Sequence, residues 1–180
     1  MKSLVWVIAL LALAMFCFAQ NGEHSYAGVK KCKMCHKGEK NGNIYETWES
    51  SAHSKAFEIL GSDAAKAVYT KSGKTGNPQE DGACLKCHIT GFGVDTSRTA
   101  DLVKEDGIGC ESCHGAGGDY FKKATMVDHD LSVASGLNPD PKTACISCHN
   151  AASPTHKEFV FEERWAKIKH ARPAAAPAGE

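Results

Sequence analysis

The sequence predicts a mainly α fold of short helices and long loops, with little or no sheet, and three observations predict it. Apolar residues recur at helical spacing in several short stretches, and 17 glycines and 6 prolines interrupt these stretches before any grows long. One pentapeptide, Cys-x-x-Cys-His, occurs four times: Cys32-Lys-Met-Cys35-His36, Cys84-Leu-Lys-Cys87-His88, Cys110-Glu-Ser-Cys113-His114 and Cys145-Ile-Ser-Cys148-His149. In this signature the two thiols bond the vinyl groups of a porphyrin and the adjacent histidine ligates its iron. The third observation is length. A chain this short builds only a modest side-chain core, so its helices and loops are expected to wrap four packed c-type haems whose apolar faces supply the interior.

Other chemistries use a Cys-x-x-Cys pair, including zinc sites and thioredoxin-like redox centres. The regularity here argues against both. Every second cysteine is followed at once by histidine, whereas structural zinc sites vary their fourth ligand and place histidines farther away. Disulfides have no partners left, because eight of the nine cysteines lie in the motifs and the ninth, Cys17, lies in a leader.

That leader covers residues 1–19. Lys2 supplies the positive start, Leu4 to Phe16 is apolar throughout, and Cys17-Phe18-Ala19 precedes the expected cut. Leu4 to Ala19 is 16 residues, shorter than the roughly 20 of a membrane span. Cleavage, export to the periplasm and no stable membrane anchor are therefore expected. Residues 20–171 form one tetrahaem domain, and residues 172–180, rich in alanine and proline, form a disordered tail. Without Lys2 the chain carries 20 basic against 21 acidic residues, which excludes the strong basic excess of a nucleic-acid binder. Lys30, Lys31, Lys33, Lys37 and Lys40 surround the first motif as a solvated face able to neutralise propionates.

Between the motifs the elements follow in order. Asn43 and Glu46 resemble a capping box, and Ile44, Trp48, Ala52, Ala56 and Leu60 share one helical stripe that Gly61 ends, with His53 beside it. A second helix starts at the Ser62 cap and runs to Gly73. Gly91-Phe92-Gly93 predicts backbone passing close to a haem face. Short helices are expected over Tyr120–Val127 and Leu131–Ser135, with Gly136 as a stop and Asp140-Pro141 as a fresh start. Phe161, Trp165 and Ile168 mark an amphipathic helix ending at His170. The gaps between motifs, 47, 21 and 30 residues, share no period, so the chain is not a solenoid.

What each iron can do depends on its sixth position: a second strong ligand restricts a haem to electron transfer, and an empty position admits small molecules. The motifs use His36, His88, His114 and His149 as proximal ligands. The distal candidates are His53 and His170, each where an apolar helix face meets a polar ring, then His24 and His129. His156 reads as idle, and Met34 and Met126 as packing residues with a soft donor. Three strong candidates for four irons leave one vacancy, expected at the third motif, which glycines surround.

Three stretches around these motifs, Trp48-Glu-Ser-Ser51-Ala-His53, Cys84 to Gly93 and Gly107 to Gly117, together with the closing Phe161 to His170 helix, resemble the cytochrome c-554 family from about His24 to His170. The resemblance implies a helical, haem-packed fold in the periplasm, with three bis-histidine haems and one open, high-spin haem. It carries His53, His170 and His24 over as distal ligands. His129 and His156 depart from the family pattern, and either would close the open site. The family's type member accepts electrons from hydroxylamine oxidoreductase and relays them toward the quinone-linked chain, although no residue here points to that donor. The expected role is an electron carrier without enzymatic activity, working as a monomer or weak oligomer between redox donor and acceptor proteins. The alternatives are a reductase of nitric oxide, hydroxylamine or nitrite at an open haem, and a filament subunit.

Overall fold

The computed structural model describes residues 24–170, so the leader at 1–19 and the tail at 172–180 lie outside the described residues. Regular structure among them is helical throughout, with no strand, as the sequence predicts. The elements are α1 (Val29–His36), a 3-10 turn (Glu39–Asn41), α2 (Ile44–Glu49), α3 (Ala56–Ile59), α4 (Asp63–Lys71) and α5 (Gly82–Leu85). A second 3-10 turn (Lys104–Asp106) precedes α6 (Glu111–His114), α7 (Lys123–Met126), α8 (His129–Ala134), α9 (Pro141–Cys148) and α10 (Phe161–Ile168). None is long and apolar enough to cross a membrane.

Side chains alone make a small interior. The buried apolar residues are Ala27, Val29, Ala56, Phe57, Leu60 and Tyr120, far fewer than 147 residues would ordinarily enclose. The helices pack locally: α1 on α2, α3 on the second 3-10 turn, α6 on α9, and α7 on α8.

Several caps stand where the sequence places them. Ser62 Oγ accepts from Ala65 N at the start of α4, and Asp140 Oδ1 accepts from Lys142 N where Pro141 opens α9. The expected helix from Asn43 to Leu60 is instead two. Asn43 has a left-handed backbone and makes no side-chain cap, and Glu46 accepts from Gly38 N at 3.0 and 3.2 Å in place of closing a capping box. After Glu49 the chain turns, because Ser54 Oγ donates to Glu49 O and Ser51 O while Ser51 Oγ accepts from His53 N. Serines that bond nearby backbone compete with helical pairing, and here they win. Residues 120–122 are likewise outside α7, since the Tyr120 hydroxyl donates to His114 O and Gly115 O. Helix α8 begins two residues early, at His129, under the Asp128 cap.

Gly91 has φ 71°, and a Cβ there would lie 2.6 Å from Leu102 Cδ1. Its glycine requirement therefore comes from packing within the chain, although it also lines the first of the cavities described below.

Asp81 joins the loop after α4 to α5 and so to the second motif. One oxygen accepts from Lys74 Nζ at 2.6 Å and Tyr69 Oη at 2.8 Å, and the other caps Ala83 N at 2.7 Å. Lys74 first, then the Ala83 N–H and Tyr69, hold its carboxyl at about 2 against an ordinary 3.8. A carboxyl depressed on folding contributes stability that is complete above the unfolded value and is lost as pH falls toward the folded one. The stability gap between parent and Asp81→Asn should therefore narrow as pH drops from 3.8 to about 2, as followed by denaturant unfolding at each pH. A gap independent of pH would contradict this.

Candidate cofactor-binding site

All four motifs sit on or directly after short helices: the first ends α1, the second leaves α5, the third spans α6 and its preceding residue, and the fourth ends α9. Helical spacing brings the two cysteines of each motif onto one side, since residues three apart are neighbours on a helix. The eight cysteines are all free thiols. Motifs distant in sequence meet through them. Val29, at the start of the first motif's helix, packs against Gly109 beside Cys110, and the neighbouring thiols act on each other so that Cys110 is pushed up and Cys32 lowered. Cys148 Sγ lies 4.0 Å from Lys86 O, and Cys87 is raised to about 11 by burial and by the neighbouring Cys148. Cys113 feels both Cys145 and Cys148. The first motif thus abuts the third, the second abuts the fourth, and the third adjoins the fourth.

The motif histidines are set by different means. His88 Nδ1 lies 2.5 Å from Ala56 O, the backbone partner that fixes an imidazole so that Nε2 faces a metal. His149 stacks on Phe159, with centroids 4.7 Å apart. His36 and His114 are displaced below the usual histidine pKa, mainly by burial and then by nearby His170. His149 is lowered by burial and then by Arg164. These three imidazoles are neutral at pH 7, the form that ligates a metal.

Two of the distal candidates come to motif histidines. His53 stands 6.0 Å from His149 and His170 stands 5.7 Å from His114, centroid to centroid. Two imidazoles bound at about 2 Å to opposite faces of one metal would have centroids about 6 Å apart. His53 is placed by the break in its helix: its carbonyl accepts from Ile108 N at 2.9 Å, and Trp48 Nε1 donates to Ile108 O at 2.8 Å. His24 is oriented by Asp119, Nδ1 to Oδ2 2.7 Å, and Arg98 grips its carbonyl, but its ring contacts no motif histidine. His129 is exposed and pairs with Asp130, and His156 is also exposed. Met34 is 71% exposed, which leaves it packing against little.

Two cavities adjoin the motifs. One, of about 250 Å³, is bordered by Cys145, Cys148, His149 and His53 and reaches Cys87 and Cys113. The other, of about 220 Å³, is bordered by Cys32, Cys35 and His36, with Tyr120, Phe121 and Met126 as apolar walls. His36 Nδ1 and His170 Nδ1 are buried without a hydrogen-bond partner. Such atoms are costly in a plain side-chain core and fit chambers that a further group completes. Among the described residues no three or more His, Cys, Asp or Glu side chains gather as a metal ion would require. The donors border apolar cavities instead, which suits a flat macrocycle held by two thiols with an imidazole on its iron and does not suit a tetrahedral zinc site.

Comparison with known proteins bears on this arrangement. Residues 31–115 match the family described as cytochrome c554 and c-prime. The chain is 32% identical to cytochrome c-554 of Nitrosomonas europaea over 163 residues, which is 86% of this chain and 63% of that protein. Residues 31–115, a little under half of the chain, thus carry the pattern of this family, and the chain spans under two thirds of the length of the first curated relative. A second relative, the C-type polyheme cytochrome OmcC of Geobacter sulfurreducens, is 30% identical over 76 residues, covering 39% of this chain and 10% of that one. The fold is also that of the reduced state of cytochrome c554 from Nitrosomonas europaea, with a TM-score of 0.60 at 24% identity, covering 84% of this chain and 86% of that structure. These likenesses, together with the four motifs, support a multihaem c-type cytochrome that binds haem c covalently.

Two features of the site carry weak sequence signals. Glu111 lies inside a motif at a position where any residue is allowed, and its burial comes from contacts more than 80 residues away. Gly107 has φ 62°, and a Cβ there would approach His53 O to 2.6 Å, so a glycine well separated in sequence sets the seat of His53. Gly107→Ala should cost roughly 1–3 kcal/mol in folding stability from backbone strain alone. Denaturant unfolding of the haem-loaded protein measures it, and an unchanged midpoint would show that the turn relaxes freely.

Proposed function

We propose that this chain is an exported tetrahaem carrier that relays electrons between a donor and an acceptor protein, and that it is not primarily an enzyme. The observation that carries this reading is the sharing of one cavity by Cys87, Cys113, Cys145 and Cys148, residues of three different motifs. Motifs that share a cavity would bring their attached groups close together, and positioning of that kind is the protein's main contribution to electron transfer. The leader at 1–19 and its apolar run support a periplasmic location, and the near-neutral charge fits protein partners over nucleic acid.

Under this reading each haem, once bound, supplies a one-electron ferric–ferrous couple. Cys32 and Cys35, Cys84 and Cys87, Cys110 and Cys113, and Cys145 and Cys148 would hold the four haems covalently. His36, His88, His114 and His149 would ligate their irons from within the motifs. His53, which faces His149, and His170, which faces His114, would supply the second histidine of the fourth and third haems. The vacancy expected at the third motif is thereby withdrawn, because His170 stands against its histidine. His129 sits three residues beyond Met126, a wall of the His36 cavity, and with His24 remains a candidate for the first haem. His88, held by Ala56 O, has no histidine ring against it among the described residues, so the second haem would be the one without a second histidine. That lone histidine is the specific observation behind a second reading, reduction of a small nitrogen oxide there.

Carbon monoxide added to the reduced protein should bind one haem in four. His170→Ala should raise this to two in four and convert one low-spin haem to high spin, since a strong axial donor is removed. Binding to none in the parent, or an unchanged count in the variant, would contradict the ligand assignment.

The haem content itself is open to measurement. The protein should keep four haems through acid-acetone extraction, because thioether bonds hold them. Its haem-free form should lack a cooperative unfolding transition, given the small apolar interior. Fewer haems in mass spectrometry of the extracted chain, or a sharp transition without haem, would count against the reading.

A further inference from the structure

Glu111 lies between Cys110 and Cys113 and is 5% exposed, the one buried carboxylate among the described residues. Its Oε1 accepts from Ala27 N at 2.7 Å and Gly117 N at 2.6 Å, and its Oε2 accepts from Gly28 N at 2.8 Å. These N–H groups face two oxygens, the complement of an ionised carboxylate, which only accepts. Ala27 and Gly117 also border the cavity of Cys32, Cys35 and His36. Cys32 Sγ in turn lies 3.5 Å from the carbonyl of Gly28, the residue whose N–H Glu111 holds. The charge therefore sits directly behind the seam where the first and third motifs meet. Its field reaches the surroundings: the Tyr120 hydroxyl is pushed up by burial and then by Glu111, and Tyr26 by the same two causes in the same order.

We propose that Glu111 is a positioning residue that holds down the reduction potentials of the haems carried by the first and third motifs. The proposal rests on reading both motifs as haem-bearing. Reduction adds one electron from a redox partner to a ferric iron, with no bond made or broken. A fixed negative charge nearby in a low-dielectric setting stabilises the ferric state over the ferrous one and so lowers the potential. Exposed carboxylates have no comparable effect, because water and salt screen them. The three hydrogen bonds, from two separate segments, hold the charge in place, so it acts on both haems whatever their oxidation state.

The test compares haem-loaded parent, Glu111→Gln and Glu111→Asp by spectroelectrochemical titration. Gln keeps the shape without the charge, whereas Asp keeps the charge with a shorter reach. In Glu111→Gln two of the four couples should shift at least tenfold toward the reduced state, which is 59 mV for one electron. In Glu111→Asp they should move by less than about threefold, since the charge remains. Unchanged potentials in Glu111→Gln overturn the proposal, as do equal shifts in both variants, which would make the residue a structural clamp alone. Should Glu111→Gln not take up haem, the parent carrying carboxyl-labelled glutamate is followed by infrared difference spectroscopy on reduction. A shifted band of ionised glutamate is expected, and silence from every glutamate overturns the proposal. A parent protein without covalent haem would count against the cofactor reading and not against Glu111.

Discussion

Each Cys-x-x-Cys-His motif has to present two sulfurs and an imidazole toward one flat group from five consecutive residues, and this demand shapes the rest of the chain. One helical turn satisfies it, and a longer helix adds nothing to it. The element of the third motif, Glu111–His114, is accordingly four residues long, and α5 stops at Leu85 before its own motif is complete. With the interior reserved for the attached groups, few apolar side chains remain to pack against one another. Ala56, Phe57 and Leu60 form the main side-chain cluster, and they lie where Ala56 O also receives His88.

Polar contacts to motif backbones make up for the missing apolar core. Tyr120 donates to His114 O and Gly115 O, Asn138 donates through its amide to Cys113 O and through its backbone to His114 O, and Thr90 Oγ1 accepts from Gly109 N just before Cys110. Each contact satisfies a carbonyl or N–H at the end of a helix too short to satisfy it internally. A helix of four residues has almost no intrahelical bonds, so its stability comes from such neighbours and not from propensity. The third motif, flanked on both sides in this way, is the most firmly braced of the four.

The helical character, the motif chemistry and most helix starts were legible because they depend on local rules. Ser62, Asp140 and Pro141 act within one turn of themselves, and the period of Phe161, Trp165 and Ile168 needs no partner to be recognised. The division of the Asn43 to Leu60 stripe was not legible in the same way. Its apolar spacing is helical, but Ser51 and Ser54 divert the backbone, and the resulting turn is held by Gly107 and Ile108, more than 50 residues away. The pairing of histidines with motifs was not legible for a related reason. Counting histidines gives candidates but not their pairing, and His170 lies 5.7 Å from His114, centroid to centroid, although the two are far apart in sequence. Glu111 was invisible as more than a variable motif residue, since its three donors come from segments on both sides of it.

The contacts among motifs also fix an order that the chain does not follow. Glu111 and Gly109 tie the third motif to the start of α1, Cys113 borders the same cavity as Cys145 and Cys148, and Cys148 Sγ lies 4.0 Å from Lys86 O. The spatial sequence is therefore first, third, fourth, second. A carrier built on it has its two terminal sites on the first and second motifs, the first ringed by Lys30, Lys33 and Lys37 and the second beside the exposed Phe92. Charge at one end and an apolar side chain at the other give partners different surfaces to recognise, because rim charge governs encounter while a buried aromatic contact governs residence. The direction of electron flow in such a chain depends on potentials and not on geometry. A fixed carboxylate at the seam of the first and third motifs is therefore placed where it biases one half of the relay against the other.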